Sequence, residues 1–239
     1  PNKKTALYFG ATISKENRIG GDMDIIRHNN SIGKYYSDKQ ESSRFTTQFS
    51  AQYKLDEVKT ITLKNSISSF DRYINIDENI LGTSTTFGGN QLNSFTELNL
   101  SVNKEKQNIN IGINALSDQF TEDNIIPQPL RNQEYQTLGI YINHLWDATD
   151  KLALESGLRT DKVDATTLNT ENGGQSFILP KISALYKLTP ELSIRLGGGM
   201  GYRMPTIFNE EAEPYGYKNV QTIDFGNLIA EESYGSNID

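Results

Sequence analysis

The sequence contains no cysteine, which removes disulfides and thiolate metal sites and leaves the compartment open. It has no run of about 18 apolar residues, so no segment can cross a membrane as a helix. No stretch shows the three-and-four spacing of an amphipathic helix. Histidine is scarce: His28 and His144 are the only two, and neither has a visible partner for catalysis or metal binding. Positive charge is in deficit, with 23 Lys and Arg against 30 Asp and Glu and a net charge of −7. That balance speaks against nucleic acid, whose binding rests on neutralising phosphates. The glycine run Gly197-Gly198-Gly199-Met200-Gly201 is followed by no helix N-terminus and is no phosphate cradle. No nucleophile elbow or other catalytic motif is present, so the chain reads as a non-enzyme without a cofactor.

What is present is two-residue alternation. In Ser43–Lys54, Phe45, Thr47, Phe49, Ala51 and Tyr53 alternate with Arg44, Gln48 and Gln52. In Asn108–Asp118, Ile109, Ile111, Ile113 and Ala115 alternate with Asn108, Asn110, Gly112 and Asn114. Similar segments occur at 6–14, 60–70, 94–103, 133–146, 151–161, 176–188 and 192–203, and a last one begins near Ala230. Successive side chains of a strand point to opposite faces, so each segment has one apolar face and one polar face. About ten or eleven strands are expected. The stretch Lys15–Arg27 is either a strand end with a turn at Gly20-Gly21-Asp22 or a bulged continuation.

The connections alternate in length. Those near residues 56, 106, 148 and 190 are short; those at 28–42, 71–92, 119–132, 162–174 and 206–229 are long and polar. Short turns on one side and long loops on the other describe an all-β, antiparallel, up-and-down transmembrane barrel segment. Aromatic residues support this. Tyr53, Trp146 and Tyr186 lie on the apolar parity near the short-turn ends, where a membrane girdle would sit. The other parity, including Arg44, Glu155, Arg159, Asp161 and Arg195, would line a wet lumen and meet whatever fills it.

One stretch carries a specific resemblance. ILPKISALYKLTPELSIRLGGGMGYRMPT resembles the barrel domain of TonB-dependent outer-membrane receptors, through Pro180, Tyr186, Arg195, Gly199, Gly201, Arg203 and Pro205. The family's Glu-x-Ser-x-Gly-x-Asn segment is matched by Glu231 to Asn237, although the Pro usually found just before it is missing. Gly157, Leu158, Arg159 and Asp161 resemble its Gly-Leu-Arg-x-Asp element, and Arg18, Gly20, Gly21 and Asp22 resemble receptors of Bacteroidetes-type bacteria. The resemblance implies a 22-stranded barrel in the Gram-negative outer membrane, plugged by a separate domain and energised through the TonB complex. It further implies uptake of a scarce nutrient, with a siderophore-type iron complex first and cobalamin or haem behind it. Residues 1–239 then read as part of the barrel domain without the plug, and the start at Pro1 reads as that of an internal piece.

Candidate ligand-binding residues lie in the long loops and the lumen: Tyr35, Tyr36, Arg203, Glu210, Glu211, Glu213, Tyr215 and Tyr217. Loops on a rigid scaffold carry binding, and aromatic rings can stack on a ligand. The bland readings stand beside these. Acidic runs are usually solvated, the spacing of the glutamates matches no metal loop, and a lumenal arginine more often pairs with a plug than with cargo. Two other functions remain open: a passive porin-like barrel, and a soluble β-rich adhesin or binding domain.

Overall fold

The computed structural model describes residues 4–23, 36–78, 83–123, 132–167, 170–205 and 229–239. They form ten strands: β1 (Thr5–Gly21), β2 (Tyr36–Lys54), β3 (Lys59–Glu78), β4 (Thr83–Lys104), β5 (Gln107–Glu122), β6 (Gln133–Asp147), β7 (Leu152–Thr167), β8 (Thr170–Lys187), β9 (Ser193–Arg203) and β10 (Glu231–Ile238). Each pairs antiparallel with the next, in sequence order, in a single sheet whose edges are β1 and β10. Among the described residues no helix is long and apolar enough to cross a membrane.

Directly paired residues share a face, so the register assigns every side chain to a side. One row runs Tyr53, Ile61, Leu100, Ile111, Ile142, Leu158, Pro180 across β2 to β8. The adjacent row runs Gln52, Thr62, Asn99, Gly112, Tyr141, Arg159, Leu179. The first row belongs to the outer face and the second to the inner face. Isoleucine, leucine and β-branched residues on one parity give each strand its propensity as well as its apolar side.

Three of the four short turns share a device. Thr189 Oγ1 accepts the N–H groups of Glu191 and Leu192 at 3.3 and 3.1 Å. Thr149 Oγ1 does the same for Lys151 and Leu152, and Asp56 Oδ1 for Val58 and Lys59. Each short polar side chain caps the donors that the turn leaves without a ladder partner. At the other end, β1 stops at Gly21, whose φ of 116° suits glycine. A Cβ there would stand 2.4 Å from the Tyr36 carbonyl oxygen, which accepts the Asp22 N–H at 3.0 Å. Strand β1 thus ends at Gly21, inside the expected Gly20-Gly21-Asp22 turn, while residues 24–27 of the Lys15–Arg27 stretch lie outside the described residues.

Two stretches expected as loops are strand. Residues 71–92 are divided between β3 and β4 with four residues between them, 79–82. Most of 162–174 belongs to β7 and β8, with residues 168 and 169 between them and a register shift between Val163 and Ala165. The polar end of 28–42 is likewise the start of β2. At about 3.3 Å per residue the 22-residue β4 is about 70 Å long, more than twice the ~30 Å hydrocarbon of a bilayer. The sheet therefore continues well past any membrane it crosses.

The apolar clusters sit in this extension, on the inner face. Ile74, Ile76, Phe87 and Phe120 form one, with Tyr36 packed against it. Tyr135, Val163, Ala165, Phe177 and Ala230 form the other, with Leu179, Tyr202 and Met204 against it.

Candidate functional site

The outer face carries a band of fixed height. From the last aliphatic or aromatic residue to the aromatic at the turn end it spans nine residues on three strands: Phe45–Tyr53, Leu138–Trp146 and Ile178–Tyr186. A transmembrane β-strand needs about 9–11. Tyr53, Trp146 and Tyr186 all lie on this face at the turn end and are exposed, as are Phe49, Leu98, Ile111, Ile140 and Leu158. Beyond the band the same parity turns polar, at Ser43, Ser69, Asn90, Ser117, Gln136 and Ser176. Two polar pairs lie inside it: Asn65 Nδ2 donates to Thr96 Oγ1 at 2.9 Å, and His144 stands opposite Ser156 with its buried Nε2 lacking a hydrogen-bond partner among the described residues.

Behind the band, the inner wall is a trough of about 720 Å³ lined by Gln52, Lys64, Glu97, Asn99, Tyr141 and Arg159 among others. Its charges are paired. Lys64 Nζ lies 3.2 Å from Glu97, and Lys181 Nζ lies 2.8 Å from Glu155. Arg159 Nε stands 2.8 Å from the buried Asp161, and its Nη2 donates to Asn114 Oδ1 at 3.0 Å. Tyr202 donates its O–H to the same Asp161 carboxylate at 3.0 Å. A Cβ on Gly139 would meet Asp161, Arg159 and Asn114 within 2.6 Å, so the absence of a side chain there lets the cluster lie flat on the wall. Gly112 does the same for Tyr141, whose oxygen accepts from Asn99 Nδ2 at 3.0 Å. Arg44 stacks over the Phe70 ring at 4.4 Å, and Arg195 lies near the turn end of the same face.

The other candidates divide. Tyr36 opens β2 and packs on the Ile74 cluster, a buttress for whatever follows it. Tyr35, Glu210, Glu211, Glu213, Tyr215 and Tyr217 lie outside the described residues. Arg203 departs from the strict alternation that assigned it to the inner face. The β8–β9 ladder ends at Lys181↔Gly199, and past it Tyr202 and Met204 turn onto the inner cluster while Arg203 stays exposed. Among the described residues no three His, Asp or Glu side chains gather as a metal site needs.

Two contacts went unforeseen by the sequence. The Tyr135 hydroxyl donates to the Pro205 carbonyl, and the Ala230 N–H donates to Gln175 Oε1 at 3.2 Å. Pro205 and Ala230 are thus tied to the inner wall of β6–β8. Phe177 and Tyr202 stack there with centroids 3.9 Å apart.

The sequence matches the family model described as TonB dependent receptor-like, beta-barrel, over residues 2–238. No curated protein matches it. Among solved structures, the FrpB iron transporter of Neisseria meningitidis (F5-1 variant) is similar with a TM-score of 0.71 at 13% identity, covering 99% of this chain and 40% of that one. The ferric-catecholate import receptor Fiu of E. coli K12, in its open form, gives 0.62 at 13% identity over 85% of this chain and 45% of its own. The copper transporter OprC gives 0.61 at 10% identity over 100% and 47%. The chain therefore spans less than half the length of each of these structures.

Proposed function

The chain belongs to the TonB-dependent receptor β-barrel family of the Gram-negative outer membrane, and from that premise we propose that it forms part of the wall of a receptor that imports a scarce nutrient. The favoured cargo is a siderophore-type iron complex, with cobalamin and haem as the other candidates. The plug domain of the same receptor would fill the space against the inner wall, and the TonB complex would supply the energy. The observation that carries this reading is the two-solvent sheet. Its nine-residue apolar outer band suits a bilayer, and its paired but polar inner wall suits a hydrated, plugged lumen. The iron transporters among the similar folds support the choice of cargo.

Pro205 and Ala230, the described residues on either side of 206–228, both contact the inner wall, and that supports a part in binding for the segment between them. The test uses the full-length receptor in its own bacterium. Uptake of a radiolabelled iron–siderophore complex is expected to be lost when either the receptor or TonB is deleted. Uptake that survives loss of TonB would make the protein a passive porin. Uptake confined to labelled cobalamin or haem would change the cargo and keep the mechanism. Deleting residues 206–228 is expected to weaken ligand binding at least ten-fold, and unchanged affinity would remove that segment from the site.

A further inference from the structure

We propose that Lys15, Asn17, Ser43, Asp71 and Tyr73 form a site on the outward face of β1–β3 that takes the neutral saccharide headgroup of a membrane glycolipid. The proposal goes beyond the uptake reading and holds for any cargo. These residues line a recess of about 450 Å³, together with Glu41 and Asp123. The register lays them out as a grid. Lys15, Ser43 and Asp71 stand opposite one another in one row, and Asn17, Glu41 and Tyr73 in the next. All six share the parity of Ile13, Phe45 and Ile67, the apolar residues nearest to them in the outer band. Ser42, Arg72 and Gly89 complete the lining. Ser42 and Arg72 belong to the inner parity, where Arg72 donates to Gln40, so what they give the outward side is backbone.

The lining has the chemistry of a hydroxyl binder. Among the described residues, the side chains of Lys15, Asn17 and Ser43 make no hydrogen bond or ion pair. They offer an ammonium, an amide and a hydroxyl, donors and acceptors side by side. The Asp71 carboxylate accepts from Asn90 Nδ2 at 2.9 Å, and an ionised carboxylate has about four acceptor positions, so capacity remains. Tyr73 is 41% exposed and stands opposite Gly88, which puts no side chain beside its ring on β4. An exposed aromatic face suits the C–H face of a sugar ring, while the polar groups around it reach the hydroxyls. Charge decides against a phosphate. Glu41 is held by Lys39 at 3.0 Å, which leaves Lys15 against Asp71 and Asp123. A lining without positive excess does not attract an anionic headgroup.

The level of the recess fits a headgroup that projects from a bilayer. Ser43 and Glu41 lie two and four residues past Phe45, and Lys15 and Asn17 lie two and four past Ile13. At about 3.3 Å per residue, that is about 7 and 13 Å along the strand beyond the apolar edge. The polar zone of a leaflet is about 5–8 Å deep. The recess therefore begins in that zone and continues past it, where a sugar ring carried on a lipid reaches. It opens beside the lipid and away from the lumen, so a lipid and not an imported solute supplies its occupant.

The experiment reconstitutes the full-length receptor in phosphatidylcholine vesicles that also hold equal amounts of digalactosyl diacylglycerol and phosphatidylglycerol. Native mass spectrometry then counts the lipids that stay on the receptor after its release. The glycolipid is expected to be retained about ten-fold over phosphatidylglycerol. Tyr73→Ala with Asn17→Ala is expected to cut that retention about ten-fold, whereas Tyr73→Phe, which keeps the ring, preserves it. Heat-modifiable gel mobility checks folding, and if the double variant fails to fold, Asn17→Ala alone is expected to cost about three-fold. Equal retention of the two lipids, or glycolipid retention unchanged in the folded variants, overturns the site. Displacement of the glycolipid by an equal concentration of free digalactose overturns the lipid as its occupant. None of these readouts passes through nutrient uptake, so failure here leaves the uptake reading standing.

Discussion

On β3, Ile61, Leu63 and Ile67 face outward, while Thr62 and Lys64 face inward. Further along the same strand, Ile74 and Ile76 face inward, while Asp71, Tyr73 and Asp77 face outward. The ladder is continuous between these halves, so the swap owes nothing to a slipped register. The same exchange recurs on β5, from Ile111 and Ile113 outward to Phe120 inward. The turn-side half puts its apolar residues on lipid and its paired charges on a wet interior. The far half stands in water on its outer side and keeps its apolar residues for the inside. One unbroken sheet thus spans two environments, and the parity at which its apolar residues fall reports which environment is where.

The sharpest way to break this comparison is to place the same charge in both halves. Ile111→Arg sets a guanidinium among Leu100 and Ile142 in the middle of the outer band. It is expected to cost about 2–4 kcal/mol, the midplane penalty for a lipid-facing arginine. Gln136→Arg sits on the same face of the next strand, just beyond the band, where the penalty falls to about 0–1 kcal/mol. Urea unfolding of the full receptor in lipid vesicles measures both. Equal costs would mean that the outer face does not change solvent between these two positions.

The far half can be probed through its own packing. Phe120 is 4% exposed, faces Phe87 with centroids 6.1 Å apart, and covers Gly89. Phe120→Ala is expected to cost about 1.5–3 kcal/mol, the worth of a fully buried large side chain. Gly89→Ala would put a Cβ about 2.6 Å from the same ring and is expected to cost about 1–2 kcal/mol by overpacking. The two changes share one contact, so in the Phe120→Ala background Gly89→Ala should cost clearly less. Additive costs in the same unfolding assay would mean that the ring does not rest on Gly89.

These halves also explain what the sequence could disclose. In Ser43–Lys54 and Asn108–Ala115 the aliphatic residues fall on one parity with polar neighbours between, and strand, face and turn are all readable. In 71–92 the outward positions are Asp71, Tyr73, Asn75, Gly88 and Asn90, and the inward apolar ones, Ile74, Ile76 and Phe87, are few and set among polar residues and Gly89, so the segment looks like polar loop although it is ladder throughout its described part. Arg72 was hidden in that stretch, so its place on the inner face, opposite Ser42 and Gly89, could not be read before the register was known. Arg203 shows the opposite failure. Its motif was legible, but the order of side chains past Gly199, with Tyr202 and Met204 on the inner cluster and Arg203 exposed, was not.

The turn end supplies the smallest effect and tests whether that end is as simple as its sequence suggests. Asp56 is exposed, and its carboxylate accepts the Val58 and Lys59 N–H groups at 2.9 and 2.7 Å. These bonds, that of Val58 foremost, hold its carboxyl below the ordinary 3.8, with Lys59 adding a favourable charge. A group whose folded value is depressed contributes stability that is complete above its unfolded value. That contribution disappears as pH falls through the folded value. The wild-type receptor should therefore exceed Asp56→Asn in urea midpoint at pH 7 by a small margin, and the margin should narrow as pH falls below the ordinary 3.8. The asparagine keeps an acceptor but not the charge, so the closing margin isolates the ionised carboxylate. A margin that stays constant from pH 7 to pH 3 would show that the turn is held by its hydrogen-bond geometry alone. In that case Asp56 would act as the neutral hydroxyls of Thr149 and Thr189 do in the other turns of the same rim.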